Sequence, residues 1–193
     1  MKMKQKRYVQ VVGAVCLSFV VAGVAGAQVQ QGAAQRGAAD MSSYPSSELF
    51  AGKWTAGSSV GMLGATPDGN AFAVNGNADY FVTERVSMGP LLQLGLTGDM
   101  TQIGLSGQGK YWITSPAIGG RGQLYLQSGV GFVHTDFRQD DTSWLVPLGV
   151  GFDYAITPAV SLTSAFLLNF TDLHTGNGTD ADVMPGFAFG VRF

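Results

Sequence analysis

Few residues in this chain have the chemistry of an active site, and its two histidines are the first to consider. His134 has Asp136 close by in the sequence and Ser143 a short segment further on. A histidine, a serine hydroxyl and a carboxylate can act together as base, nucleophile and orienting group. However, the sequence contains no G-x-S-x-G pattern, no P-loop and no pair of metal ligands. We therefore predict no enzyme activity, no cofactor and no metal site, and keep a triad built on His134 as an alternative.

A second set of candidate functional residues consists of single charged residues that stand among uncharged polar ones. Each of them alternates with apolar neighbours, so it would lie on the polar face of an extended segment. A charge enclosed by protein is costly unless an opposite charge pairs with it. We therefore predict that three cations and two anions form a paired structural network rather than an ion pathway. These residues are Lys53, Asp79, Lys110, Asp153 and Arg192.

The elements that would position these residues are eight segments in which apolar and polar residues alternate. A period of two is typical of β-strands, and about ten residues suffice for a tilted strand to cross a hydrocarbon layer. An even number of strands returns both ends to the same side, and closure into a barrel removes unpaired edges. The predicted strands span about residues 50–63, 70–83, 86–98, 102–114, 122–136, 143–157, 159–173 and 183–193.

The alternation alone does not tell which face of the strands lies outside. A soluble barrel would place its apolar face inward and show its polar face to water. Here the polar faces carry about one ionisable residue per strand or fewer, with Gly, Ser, Thr, Asn and Gln elsewhere, which is too sparse for a solvated surface. We therefore predict that the apolar faces contact lipid. Aromatic residues near the strand ends then become candidate girdles at the membrane interfaces: Phe50, Trp54, Phe72, Tyr80, Tyr111, Phe132, Trp144, Tyr154, Phe170 and Phe193.

The overall composition agrees with a single barrel domain. Charged residues make up 12% of the chain, about half the share of roughly 25% that is usual for soluble domains. Glycine accounts for 28 of the 193 residues, about twice its usual frequency. No apolar run in the body of the chain is long enough for a transmembrane helix, so any membrane-spanning segments there must be strands.

The N-terminus has the pattern of a signal peptide. A basic head is followed by an apolar stretch and by the small residues Ala25-Gly26-Ala27, so we predict cleavage after residue 27. Residues 28–47 are rich in Gln, Ala, Gly and Ser and are predicted to form a flexible arm before a barrel domain at 48–193. Cleavage would remove the chain's one cysteine, Cys16, and four of the eleven basic residues, leaving a net charge of −6. This charge does not favour nucleic acid as a partner.

The last nine residues of the chain form an amphipathic strand. Its aromatic and aliphatic residues share one face, and Gly186, Ala188, Gly190 and Arg192 share the other. The leader, the eight strands, the segment G-V-G-F-D-Y-A-I-T at 149–157 and the ending G-V-R-F resemble the small eight-stranded bacterial outer-membrane β-barrels of the OmpX, OmpW and OmpA-barrel type. In that family an aromatic-rich C-terminal strand is read by the barrel-assembly machinery. The resemblance gives this role to Phe187, Phe189, Val191 and Phe193.

The resemblance implies an all-β, closed, eight-stranded antiparallel up-and-down transmembrane barrel in the cell outer membrane. Both chain termini would then face the periplasm, and the partners would be outer-membrane lipids, including lipopolysaccharide, and the assembly machinery. The outer connections would be acidic, which suggests either a solvated rim or bridging by divalent cations. We expect a monomeric, non-enzymatic protein that serves envelope integrity or narrow, porin-like passage of small solutes. The alternatives are a lipid A-modifying barrel enzyme that uses His134 and a surface-binding, adhesion-type barrel.

Overall fold

The computed structural model describes residues 51–114, 121–176 and 180–193. The predicted signal peptide, the predicted arm and Phe50 lie outside this part of the chain. Its elements are β1 (Trp54–Thr66), β2 (Gly69–Thr83), β3 (Val86–Leu96), β4 (Thr101–Thr114), β5 (Gly122–Asp136), β6 (Asp141–Thr157), β7 (Val160–His174) and β8 (Asp180–Arg192). Each strand pairs antiparallel with its sequence neighbours, and β1 pairs with β8 to close the barrel. The predicted fold class is therefore confirmed.

Short connections join the strands at both ends of the barrel. The β1–β2 hairpin turns through Pro67 and Asp68, and Gly69 follows with a φ of 86°, a left-handed conformation that glycine adopts without steric cost. At the opposite end, Thr157 Oγ1 accepts hydrogen bonds from the backbone N–H groups of Ala159 and Val160 in the β6–β7 turn. We call the end with the β1–β2, β3–β4, β5–β6 and β7–β8 connections the loop end. The opposite end, which holds Phe193, is the terminal end.

The seam between β1 and β8 closes the barrel. Its register runs from the pair Gly57 and Arg192 to the pair Leu63 and Gly186. Beyond this ladder, Ala56 and Phe193 exchange two backbone hydrogen bonds, with N···O distances of 2.8 and 2.9 Å. The C-terminal residue is therefore part of the wall of the barrel.

Side chains alternate between the outside and the interior along each strand. The most exposed large apolar side chains include Val130 (69% exposed), Trp54 (66%) and Phe189 (60%), whereas Asp79 and Asp153 are buried in the interior. The outward orientation of the apolar faces is therefore confirmed, and the alternative of a soluble barrel with inward apolar faces is wrong. No helix in the described residues is long and apolar enough to span a membrane.

The strand limits differ from the predicted ones at the loop end. β1 continues to Thr66 and β6 begins at Asp141, because cross-strand pairing extends almost to the tip of each hairpin. β8 begins at Asp180 rather than near residue 183. At the terminal end, β1 begins at Trp54, so the predicted start of the first strand at Phe50 is too early and Lys53 lies before the strand.

Candidate functional site

The interior of the barrel contains two layers of different chemistry. In the loop-end half, a cluster of buried apolar side chains fills the space between the strands, and we call it the apolar plug. It consists of Leu63, Ala71, Ala73, Met100, Val133, Phe137, Leu145, Leu173, Ala181 and Met184. In the terminal half lies the charged layer, which we define as Asp79, Lys110, Asp153 and Arg192 with the rings of Trp112 and Tyr125.

The first ion pair of the charged layer joins β2 to β4. Lys110 Nζ lies 2.7 Å from Asp79 Oδ2. Asn77 donates to the same oxygen at 2.6 Å, and Gln108 donates to Asp79 Oδ1 at 3.1 Å. Gln127 in turn donates to the Gln108 side-chain oxygen at 3.3 Å. Hydrogen bonds to both carboxylate oxygens offset the cost of removing this charge from water.

The second ion pair joins β8 to β6. Arg192 Nε donates to Asp153 Oδ2 at 2.5 Å, and both side chains are almost fully buried. Arg192 is the second-last residue of the chain, yet its side chain reaches past β7 to a strand that is not its neighbour in the sheet. The pair therefore ties the closing strand to a more distant part of the wall.

Two aromatic rings connect the ion pairs across the interior. Lys110 Nζ lies 5.1 Å from the centre of the Tyr125 ring, and Arg192 Cζ lies 5.0 Å from the Trp112 ring. The two rings contact each other with their centres 4.8 Å apart. Cation–π contacts gain strength when the partners are removed from water. The layer is thus a continuous series of contacts that runs from Asp79 to Asp153.

Hydrogen bonds fix the orientation of both rings. Trp112 Nε1 donates to Ser87 Oγ at 2.9 Å, and the Tyr125 hydroxyl lies 3.3 Å from Thr163 Oγ1. Phe81 packs on the other side of Trp112 with a ring-centre distance of 5.4 Å. The aromatic part of the layer is therefore held by side chains of other strands, and the rings cannot swing aside without breaking these bonds.

Four of the five predicted network residues lie in the charged layer, and Lys53 does not. Lys53 is exposed at the terminal end, and the ion pairs found among the described residues do not include it. Its backbone oxygen instead accepts a hydrogen bond from Phe81 N–H. The layer therefore balances two cations with two anions, rather than three with two as predicted.

Sequence reasoning missed the apolar side chains that share the interior. Trp112 belongs to the charged layer, and Leu145 and Met184 to the apolar plug. The signal that could have shown the plug is a break in the alternation, because residues 144–148 are consecutively apolar. A strand with apolar residues on both faces is covered on both sides.

The histidine triad that the sequence suggested is not assembled. His134 Nδ1 is hydrogen-bonded to Thr142 Oγ1 at 2.8 Å. Ser143 pairs in register with Val133, which is buried in the plug, so Ser143 lies on the opposite face of the sheet from His134. A nucleophile on the far side of the sheet is out of reach of the base.

The loop-end rim is acidic, as the sequence suggested. Its carboxylates make local contacts: Asp68 accepts a hydrogen bond from Thr97, and Asp141 Oδ2 accepts one from His174 N–H at 2.7 Å. His174 Nδ1 also lies 3.6 Å from an Asp172 carboxylate oxygen, an exposed contact of little energetic weight. Within the described residues, no three His, Cys, Asp or Glu side chains come close enough to hold a metal ion.

Three of the four residues predicted to act in assembly lie on the outward face of β8, and the fourth, Phe193, directly follows the strand. Phe187 and Phe189 are exposed and contact each other edge to face, with ring centres 4.6 Å apart. Val191 and Phe193 are partly exposed. All four are available to lipid or to a protein that reads this strand from outside.

Comparison with known proteins shows the fold. Neither a protein-family model nor a curated protein sequence matches this chain. Among solved structures, Neisserial surface protein A is similar over 72% of this chain and 94% of its own, with 18% identity and a TM-score of 0.55. The N-terminal β-barrel domain of Pseudomonas aeruginosa OprF (14% identity, 72% and 97% covered) and OprG from the same organism (14% identity, 74% and 96% covered) both have TM-scores of 0.51. The resemblance drawn from the sequence is thereby confirmed for the architecture: this chain has the fold of the small eight-stranded bacterial outer-membrane β-barrels.

Proposed function

We propose that this protein is a structural, non-enzymatic barrel of the outer membrane whose interior is closed to solutes in the resting state. The observation that carries the proposal is the arrangement of two barriers in series inside one barrel. A solute entering from the loop end would meet the apolar plug, and behind it the charged layer. Either barrier alone would hinder passage, and together they favour a structural role over a porin-like one.

The exterior supports a membrane location. Large apolar side chains such as Val60, Leu126 and Phe166 are exposed on every side of the barrel, and water would penalise so extensive an apolar surface. Trp54 and Tyr80 contact each other near the terminal end with ring centres 5.3 Å apart. Aromatic residues at this position suit the membrane–water interface.

The apolar plug supports closure at the loop end. Met100 and Phe137 belong to the connections after β3 and β5, yet both are buried in the plug. The exposed Arg138 lies over the Phe137 ring, with its Cζ atom 5.1 Å from the ring centre. These connections therefore fold their apolar side chains into the mouth of the barrel instead of extending outward.

The charged layer supports closure in the terminal half. Moving a solute through it would require separating Lys110 from Asp79 or Arg192 from Asp153. Each separation would leave buried charges without partners, which costs several kcal/mol. We therefore propose that the predicted network is a structural crosslink of the barrel rather than a conduction pathway.

The proposed partners follow from the apolar outer surface of the barrel and from the exposed face of β8. The exposed apolar side chains on the outside of a monomeric barrel would contact outer-membrane lipids, including lipopolysaccharide. The exposed Phe187 and Phe189 support the further proposal that the barrel-assembly machinery reads β8. Because the connections at the loop end are short, they offer little surface for an adhesion-type function.

Single-channel recording on refolded protein in planar bilayers tests the closed interior. Insertion is checked first by the different gel mobility of boiled and unboiled samples. We expect no stable conductance steps from the wild type. Stable steps from inserted wild-type protein would contradict the proposal, and a general porin recorded in the same bilayers serves as the positive control.

Two variants test whether the barriers act in series. Leu145→Ala shortens a side chain of the apolar plug, and Trp112→Ala removes a ring of the charged layer. If both layers block the interior, each single variant should remain closed and the double variant should conduct. A single variant that conducts as well as the double one would show that only one layer blocks passage.

A further inference from the structure

A small cavity lies within the charged layer, next to the Asp153 side chain. Its volume is about 30 Å³. Its lining combines polar side chains, including Asn75, Gln127 and Thr163, with apolar ones, among them the alanines Ala165 and Ala188. A polar cavity holds a water molecule once it offers roughly 10–15 Å³, so this one has room for about two.

Asp153 has one carboxylate oxygen without a hydrogen-bond donor from the described residues. The residue is 2% exposed, and its Oδ2 accepts from Arg192. Its Oδ1 is buried, and no group in the described part of the chain donates a hydrogen bond to it. A buried carboxylate oxygen that lost its bonds to water without replacement would destabilise the fold, so a donor should be present.

Nearby side-chain donors already have other acceptors. Gln127 donates to Gln108, and Gln108 donates to Asp79. Asn75 donates to Ser59 Oγ at 3.3 Å. These side chains thus hydrogen-bond to groups other than Asp153 Oδ1, and Asp153 itself borders the cavity. This distinguishes Asp153 from Asp79, whose two oxygens both accept from protein donors.

We propose that this cavity is an occluded hydration site, in which one or two ordered water molecules donate to Asp153 Oδ1 and bond to the surrounding amides and hydroxyls. The proposal deepens the proposed function, because a water held in this way is trapped only if the interior is closed. It also gives the cavity a structural role: the water completes the second ion pair in the way that Asn77 and Gln108 complete the first. A second cavity, bordered by Leu63 and Leu145, has a volume of about 10 Å³, the lower limit for one water, and is not included.

The test is the detection of long-lived water beside Asp153. The protein would be isotopically labelled and studied by NMR in detergent micelles. The nuclear Overhauser effects between water and the side-chain amide protons of Gln127 and Asn75 should have the sign expected for a water molecule that tumbles with the protein. A crystal structure of the protein at high resolution should show density within hydrogen-bonding distance of Asp153 Oδ1. Absence of both signals, or an Asp153 Oδ1 that is bonded to a protein donor instead, would overturn the proposal.

Two variants make the test specific. Ala165→Val fills the cavity without changing a polar group, so the water signal at Gln127 should be lost while exposed amides keep theirs. If this variant fails to fold, the double variant Asp153→Leu/Arg192→Met removes the acceptor together with its cation, and the signal should again be lost. A signal that persists in a folded variant would overturn the site. Channel activity tests the closed barrel separately: conductance from wild-type protein would contradict the proposed function, whereas loss of the water signal in protein that does not conduct would contradict this site alone.

Discussion

Tyr125 packs its ring against the backbone of its cross-strand partner, Gly151. The two residues are directly paired between β5 and β6, and a Cβ atom added at Gly151 would lie 2.1 Å from Tyr125 Cζ. The tyrosine ring can lie across the interior toward Trp112 only because position 151 has no side chain. This pair therefore sets the place of one ring in the charged layer.

Substitution of this glycine should destabilise the barrel. In Gly151→Ala the new methyl group would clash with a ring that Trp112 and Thr163 hold from two sides, so we expect a loss of about 1–3 kcal/mol in the free energy of unfolding. Urea unfolding of the protein in lipid vesicles measures it. Gly76→Ala is the matched control, since a Cβ there has nothing within 4 Å. Equal losses in the two variants would contradict this interpretation, as would an undiminished loss for Gly151→Ala in a Tyr125→Ala background.

The second ion pair should show strong coupling between its two partners. Removing only Arg192, as in Arg192→Met, leaves Asp153 buried without its cation and should cost about 3–5 kcal/mol. Replacing both, as in Asp153→Leu/Arg192→Met, should cost clearly less, because no buried charge remains. A double-mutant cycle from unfolding free energies gives the coupling. Purely additive losses would show that the pair is more hydrated than its burial indicates.

Phe193 should contribute to closure through its backbone and to assembly through its ring. Deleting the residue removes its two hydrogen bonds to Ala56 and should weaken the β1–β8 seam, whereas Phe193→Ala keeps the backbone bonds and removes only the ring. We expect the deletion to reduce the gel-mobility difference of purified, refolded protein more than the alanine variant does. In cells, both variants should assemble poorly if the machinery reads the ring. Wild-type assembly of Phe193→Ala in cells would argue against that recognition.

A charge placed on the outer surface should report contact with lipid. Val130 is the most exposed large apolar side chain on β5, and Val130→Arg should destabilise the protein in vesicles by about 2–4 kcal/mol if this position is near the bilayer midplane. Val130→Leu, which keeps the surface apolar, should be nearly neutral. The comparison uses unfolding free energies in the same lipid. A neutral effect of the arginine would mean that position 130 faces water.

The period of two was sufficient to predict the strands, their faces and the closed barrel, because every strand has an outward apolar row. Asp79, Lys110, Asp153 and Arg192, which the same pattern assigns to the polar faces, are buried in the interior. The pattern could not show which charges pair, since Arg192 reaches Asp153 on a strand that is not its neighbour, and this depends on the stagger of the strands around the barrel.

The positions that were predicted wrongly from the sequence also have local causes. Lys53 follows the polar parity of β1, but the strand begins one residue later, so the side chain lies at the rim and not in the interior. Leu145 and Met184 were not recognised as interior residues, because each is apolar and stands between outward-facing apolar residues. The alternation of apolar and polar residues, which marks the inward face elsewhere, is therefore missing at these positions. Leu94 pairs in register with Val74 and Ile103 but is only 7% exposed, so an outward position does not guarantee full contact with lipid.

The short hairpins have a consequence for the order of folding. Seven of the eight strand pairings join consecutive strands, and only the β1–β8 seam joins the two ends of the barrel sequence. Nearly all of the entropy lost in bringing distant residues together is therefore concentrated in one ring-closing event. A circular permutant with linked ends and a new break at Glu84–Arg85 would keep the same wall but transfer that late, slow step to the β2–β3 pair.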